Sequence, residues 1–202
     1  MPLSVSSAYT FDSAWLSDVK EHLRITGNDD DLYLETIVRA AIAEAEKEQD
    51  RQLIRQTWRL TMDSFCDTRY MRYEDYAGWV MRVPRPPLID VTSIVYVNTS
   101  GTSTTLAASD YTVDTYTTPG RIAPAYGESW PATRSQPNAV TVTYRAGYGT
   151  TMASVPASTR AGLLITIGNL YEHRESILVG GSFNLLPTAK SLFACECWGS
   201  EL

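Results

Sequence analysis

Apolar and polar positions along this chain repeat with two different periods, and the change of period divides it into regions. From about Thr10 to Trp58 the spacing is helical. Phe11 with Asp12 and Ser13 opens a first helix, where short polar side chains can receive free backbone N–H groups. Trp15, Leu16, Val19 and Leu23 then fall on one face. Gly27 and Asn28 stop it, and Asp29–Asp30–Asp31 start a second helix, because carboxylates suit the partly positive end of a helix. Leu34, Ile37, Val38, Ala41, Ile42 and Ala45 form its stripe, with Glu44, Glu46, Lys47 and Glu48 toward water. That helix is expected to run for about 25 residues, ending near Arg55.

The period then shortens to two. Trp58, Leu60 and Met62 alternate with Arg59, Thr61 and Asp63, the pattern of a half-buried strand. Further strands are expected over 79–83, 89–97, 111–114 and 139–144, separated by turn residues at 98–101, Pro119–Gly120 and Gly127. No helical crossover fits between them, so the sheet is expected to be antiparallel. A helical period returns at Ser154. Pro156 suits a first turn, and Ala161, Leu164, Ile167, Leu170 and Tyr171 carry the stripe to about Glu175. After Gly180–Gly181 comes a segment with little periodicity but many large apolar side chains.

The fold class that follows is α+β. A helical core, made of two N-terminal helices and one C-terminal helix, carries an inserted antiparallel β region and an extended C-terminal tail. The boundaries read as 10–56 for the N-terminal helical part, 57–150 for the insertion, 154–176 for the last core helix and 177–202 for the tail.

Composition narrows the function. Over 202 residues, 44% hydrophobic and 20% charged content are those of a soluble globular domain. No apolar run is long enough for a membrane span, and the first residues lack the basic start and apolar stretch of a secretory signal, so the expected site of synthesis is the cytoplasm. A net charge of −6 argues against gripping nucleic acid, which needs Lys and Arg on phosphates. Cys195 and Cys197 form C-x-C, neither a redox C-x-x-C nor half of a usual zinc site, and Cys66 stands alone. The two histidines, His22 and His173, sit among charged neighbours on expected helices. The aspartate run lacks the alternating spacing of a calcium loop, and Arg145–Gly149 lacks the lysine and glycine spacing of a phosphate loop. No catalytic residue, cofactor or metal is therefore expected. Tyr70, Arg72, Tyr73, Tyr76 and Trp79 interleave aromatic and basic residues; residues of this kind are enriched in protein interfaces, and Glu74 and Asp75 dilute any nucleic-acid groove.

Four segments in order resemble one family. They are Val19-Lys-Glu-His-Leu-Arg-Ile25 with Asp29–Asp31 and a helix ending at 46–51; Gln52-Leu-Ile-Arg-Gln-Thr-Trp58; Val83-Pro-Arg-Pro-Pro-Leu88 before 91–96; and Val140-Thr-Val-Thr-Tyr-Arg-Ala-Gly-Tyr148 with Val155-Pro156 and a helix ending Leu170-Tyr-Glu-His-Arg174. Spanning about 16–175, this set is similar to the head–tail connector (adaptor, head-completion) proteins of long-tailed phages and gene transfer agents.

The resemblance implies a non-enzymatic virion protein of the neck. It implies a homo-oligomeric ring, commonly of twelve subunits, between a portal protein and a stopper or tail-completion protein, with DNA crossing the lumen. Within that picture the apolar tail residues Phe183, Leu185, Leu186, Leu192, Phe193 and Trp198 are the expected portal-docking arm. Tyr70, Arg72, Tyr73, Tyr76 and Trp79 are the expected inter-subunit or outer loop. The alternatives are another neck or tail component, a stopper or tail terminator, disfavoured by the long second helix, and a cysteine hydrolase pairing Cys66 with His22 or His173.

Overall fold

A computed structural model describes residues 3–9, 11–74, 78–173 and 187–197. The chain divides into two compact units: a β unit of Met1–Tyr9 with Arg55–Gly147, and a helical unit of Thr10–Ile54 with Tyr148–Leu202.

The β unit contains two antiparallel sheets. The first has the order β1 (Leu3–Ser7), β2 (Gln56–Met62), β9 (Val140–Ala146), β5 (Leu88–Val97), β6 (Ser103–Thr105). The second has the order β3 (Met71–Glu74), β4 (Gly78–Arg82), β8 (Arg121–Pro124), β7 (Tyr111–Asp114). Alternation decides what each strand buries. In β9, Val140, Val142, Tyr144 and Ala146 are buried while Thr141, Thr143 and Arg145 turn away. Opposite them in register, Leu60 and Met62 of β2 and Ile94 of β5 point inward. Met71, Met81 and Ile122 of the second sheet complete the same core.

Two details close that core. Tyr144 is fully buried, and its hydroxyl donates to Pro84 O at 2.9 Å, which offsets the cost of removing an O–H from water. Burial pushes its phenol pKa well above the usual tyrosine range. At Gly120 a Cβ would lie 2.4 Å from Leu88 Cβ, so only glycine lets these backbones approach. The tip between β7 and β8 is held by Asp114, whose carboxylate receives Tyr116 N, Thr117 N and Thr117 Oγ1 and forms an ion pair with Arg121 at 2.7 Å.

In the helical unit, α1 (Ala14–Leu23) buries Trp15 and Val19. Asp12, not Ser13, receives the free Ala14 N–H at 2.9 Å. The helix ends before the expected Gly27 stop, because Arg24 takes the left-handed conformation (φ 58°). α2 (Asp31–Gln49) is 19 residues long, shorter than expected, because Asp50 does the same (φ 49°). Glu46, expected toward water, turns back and accepts Leu53 N at 2.9 Å and Gln52 Nε2 at 2.6 Å, fixing the path out of the helix.

α3 (Ala157–Glu172) follows Pro156 as expected, but its buried face is Thr159, Gly162, Leu163, Thr166 and Ile167. The expected stripe is displaced, and Ala161 is exposed, because this helix is apolar nearly all round and period alone does not choose its face. The C-terminal segment also differs from expectation. Instead of extending, Pro187–Ala194 forms α4, and Phe193 is buried against Gly162, where a Cβ would meet its ring at 2.6 Å. Four short strands lacked a sequence expectation: β1, β3, β6 and β8.

Candidate assembly interface

Two residues of the segment expected as an inter-subunit or outer loop face their own unit. Tyr70 and Trp79 are half-buried against the β core, and burial raises the Tyr70 phenol pKa. Tyr70 O accepts Arg82 N at 2.7 Å. Trp79 O accepts the Trp130 indole N–H at 2.6 Å, and Trp130 stacks on Phe65 with centroids 4.7 Å apart. These aromatics are thus engaged with their own unit and form no exposed stacking platform. Arg72 is exposed. Tyr76 and the side chain of Tyr73 lie outside the described residues.

Phe193 of the expected docking arm fills the helical core, a correction to its assignment as a surface anchor, and Leu192 is half-buried. Its large apolar ring gains more from a glycine-lined notch in its own unit than from water. Phe183, Leu185, Leu186 and Trp198 lie outside the described residues.

Two residues that sequence reasoning missed hold α4 in place. Gln49, fully buried, donates through Nε2 to Thr159 Oγ1 at 2.8 Å and to Phe193 O at 3.0 Å. Arg51 donates to Glu196 O at 2.5 Å and to Tyr148 Oη at 3.1 Å. The usable signal was the α2 stripe, which continues from Ala45 to position 49 and meets a glutamine there. A polar residue on an apolar stripe needs a buried partner.

Cys66, Cys195 and Cys197 are exposed and not disulfide-bonded, and the Cys197 thiol donates to Glu48 O at 3.4 Å. His22 on α1 and His173 just past α3 are exposed as well. Among the described residues no group of His, Cys, Asp and Glu could hold a metal ion, and no helix is long and apolar enough to cross a membrane. The aspartate run serves local structure: Asp30 accepts the Tyr171 hydroxyl at 2.7 Å, and Asp31 pairs with Lys20 at 2.5 Å.

Charge is distributed unevenly between the units. The helical unit holds 15 of the 23 Asp and Glu and 8 of the 17 Lys and Arg, so it carries the net negative charge. The β unit holds eight acids and nine bases, and every one of those bases is arginine. The side of its first sheet opposite the core carries Thr57, Thr61, Thr141 and Thr143, all half-buried, beside exposed Arg59 and Arg145. Arg145 forms an ion pair with Asp90 of β5, which holds that carboxyl below the usual aspartate range, helped by the nearby Arg55.

Residues 13–111 match the family model described as phage gp6-like head-tail connector protein. Among solved structures, the chain is similar to one in the "Neck of empty GTA particle computed with C6 symmetry" (TM-score 0.75, 21% identity, covering 100% of this chain and 98% of that one). A chain of the "Virion of native gene transfer agent (GTA) particle" gives the same values. One in the "Neck of native GTA particle computed with C12 symmetry" gives a TM-score of 0.69 at 21% identity, covering 95% and 94%. These likenesses establish a shared fold. No curated protein matches.

Proposed function

We propose, for a chain that belongs through residues 13–111 to the phage gp6-like head–tail connector family, that it is a subunit of a neck ring. In this reading copies of the chain, twelve by our proposal, join a portal protein above to a stopper or tail-completion protein below. DNA passes through the lumen. The observation that carries the reading is the family match, which runs from the first helix well into the β unit. Agreement in fold over the whole chain with proteins of gene-transfer-agent necks supports it.

The charge fits a passage and not a grip. Each copy adds −6, so a ring offers duplex DNA no counter-ion release and lets it slide. Docking on the portal is assigned to the tail residues Phe183, Leu185, Leu186 and Trp198, with Leu192. Truncation at Gly180 would also remove Phe193 from the helical core, so substitution is the cleaner test. Particles made without this chain should accumulate as separate heads and tails. Adding back the wild type should restore joining, and adding back Leu185→Asp/Leu186→Asp should not, with the variant's thermal melting measured to match wild type. Joined particles in the absence of the chain, counted by electron microscopy, would refute the neck assignment.

A further inference from the structure

We infer that the outer face of the five-stranded sheet is the surface through which one copy of this chain grips the acidic stretch 10–54 of the next copy. The inference rests on the ring reading and names its contact. A ring needs two different, complementary patches on each subunit, and the charges of this chain are sorted in that way. Stretch 10–54 holds eleven Asp and Glu against five Lys and Arg, with Asp18, Glu21 and Asp29 exposed. The sheet face opposes it with Arg55, Arg59 and Arg145 and one carboxylate, Asp90.

The side chains there suit burial between proteins. Register sets Arg59 opposite Thr143 and Thr57 opposite Arg145, so each of these arginines has a threonine as its cross-strand neighbour. Threonine adds no charge to be stripped of water. Arginine binds carboxylates in a planar fork and is less strongly hydrated than lysine. Arginine is enriched and lysine depleted in interfaces, and the β unit has nine arginines and no lysine. Duplex DNA is a poorer occupant, because a chain of net charge −6 repels it at range.

The absence of lysine supplies the test. Arg59→Lys keeps the charge and gives the β unit a lysine on this face. Carbodiimide treatment of necks isolated from such particles should produce cross-linked dimers of the chain. Peptide mapping should place the new link between position 59 and a carboxylate within 10–54 of another copy; wild-type necks should lack it. Arg55→Glu/Arg59→Glu should lower the yield of joined particles by about tenfold or more with the melting of the isolated chain unchanged. Necks that hold several copies but link position 59 to nothing, or to a different protein, would overturn this contact and leave the ring intact. So would a double variant that joins normally and loses only packaged DNA. Particles with no multi-copy assembly of the chain would remove the ring itself.

Discussion

The two units bury their interiors by different rules. Among the described residues, every polar side chain that is buried (Gln49, Gln52, Thr159 and Thr166) belongs to the helical unit. The β core is apolar apart from the Tyr144 hydroxyl. The difference follows from how each is assembled. Strands satisfy their backbone groups along the ladder, so alternation of apolar residues is enough to seal the sheets. The helical unit joins stretches far apart in sequence, 10–54 and the chain after 148, and must receive the loose carbonyls where they meet. Gln49 and Arg51 do this for the end of α4. Polar burial here fixes which segments meet, whereas apolar burial supplies most of the free energy.

The strongest way to break this contrast is at the notch where α4 docks. Phe193→Ala should cost about 3–5 kcal/mol in denaturant unfolding, because Gly162 leaves nothing to fill the space. A loss under about 1 kcal/mol would mean that α4 contributes little to the helical core.

A paired comparison sharpens it at intermediate size. Gln49→Leu strands the Phe193 carbonyl and the Thr159 hydroxyl together and should cost about 1–3 kcal/mol. Tyr144→Phe strands a single carbonyl and should cost about 1 kcal/mol. Equal losses in the two unfolding curves would abolish the distinction between the units.

The smallest effect concerns acid. The Arg121 guanidinium beside Asp114, with the N–H and O–H groups of Tyr116 and Thr117, holds its carboxyl at about 2. The ordinary aspartate value is about 3.9. The folded pKa is depressed, so this contribution is complete above about pH 4 and fades as pH falls toward 2. It is about 1 kcal/mol or less, since the pair is partly exposed. Asp114→Asn should flatten the stability profile between pH 4 and 2 relative to wild type, measured by thermal melting.

Much of this architecture was legible because long elements carry their own period. β2, β5, β9 and α2 each repeat a pattern long enough to choose a face. β1, β3, β6 and β8 did not, since their few residues show no alternation that chooses a face: β8 buries only Ile122. Helix ends were misplaced where Arg24 and Asp50, and not glycine, adopt left-handed backbone. α3 was misread because Leu164 and Ile165 are as apolar as Leu163 and Ile167, and the choice between them came from Gly162 and Thr159 meeting α4 and Gln49. The candidate interface was the least legible part. The Tyr70–Trp79 segment carries interface-like residues, yet Tyr70 and Trp79 spend them on their own core. The arginine–threonine face is dispersed over strands that only the fold brings side by side.

One small feature bears on how such a chain tolerates change. Tyr148 N–H reaches Leu53 O at 3.0 Å, and Ile54 bridges Gly149 in parallel, so the stretch 55–147 starts and finishes at one stapled point. An excursion whose two feet are tied costs little more to close when it grows longer. A longer or shorter stretch between those feet therefore changes the entropy of closing them only slightly.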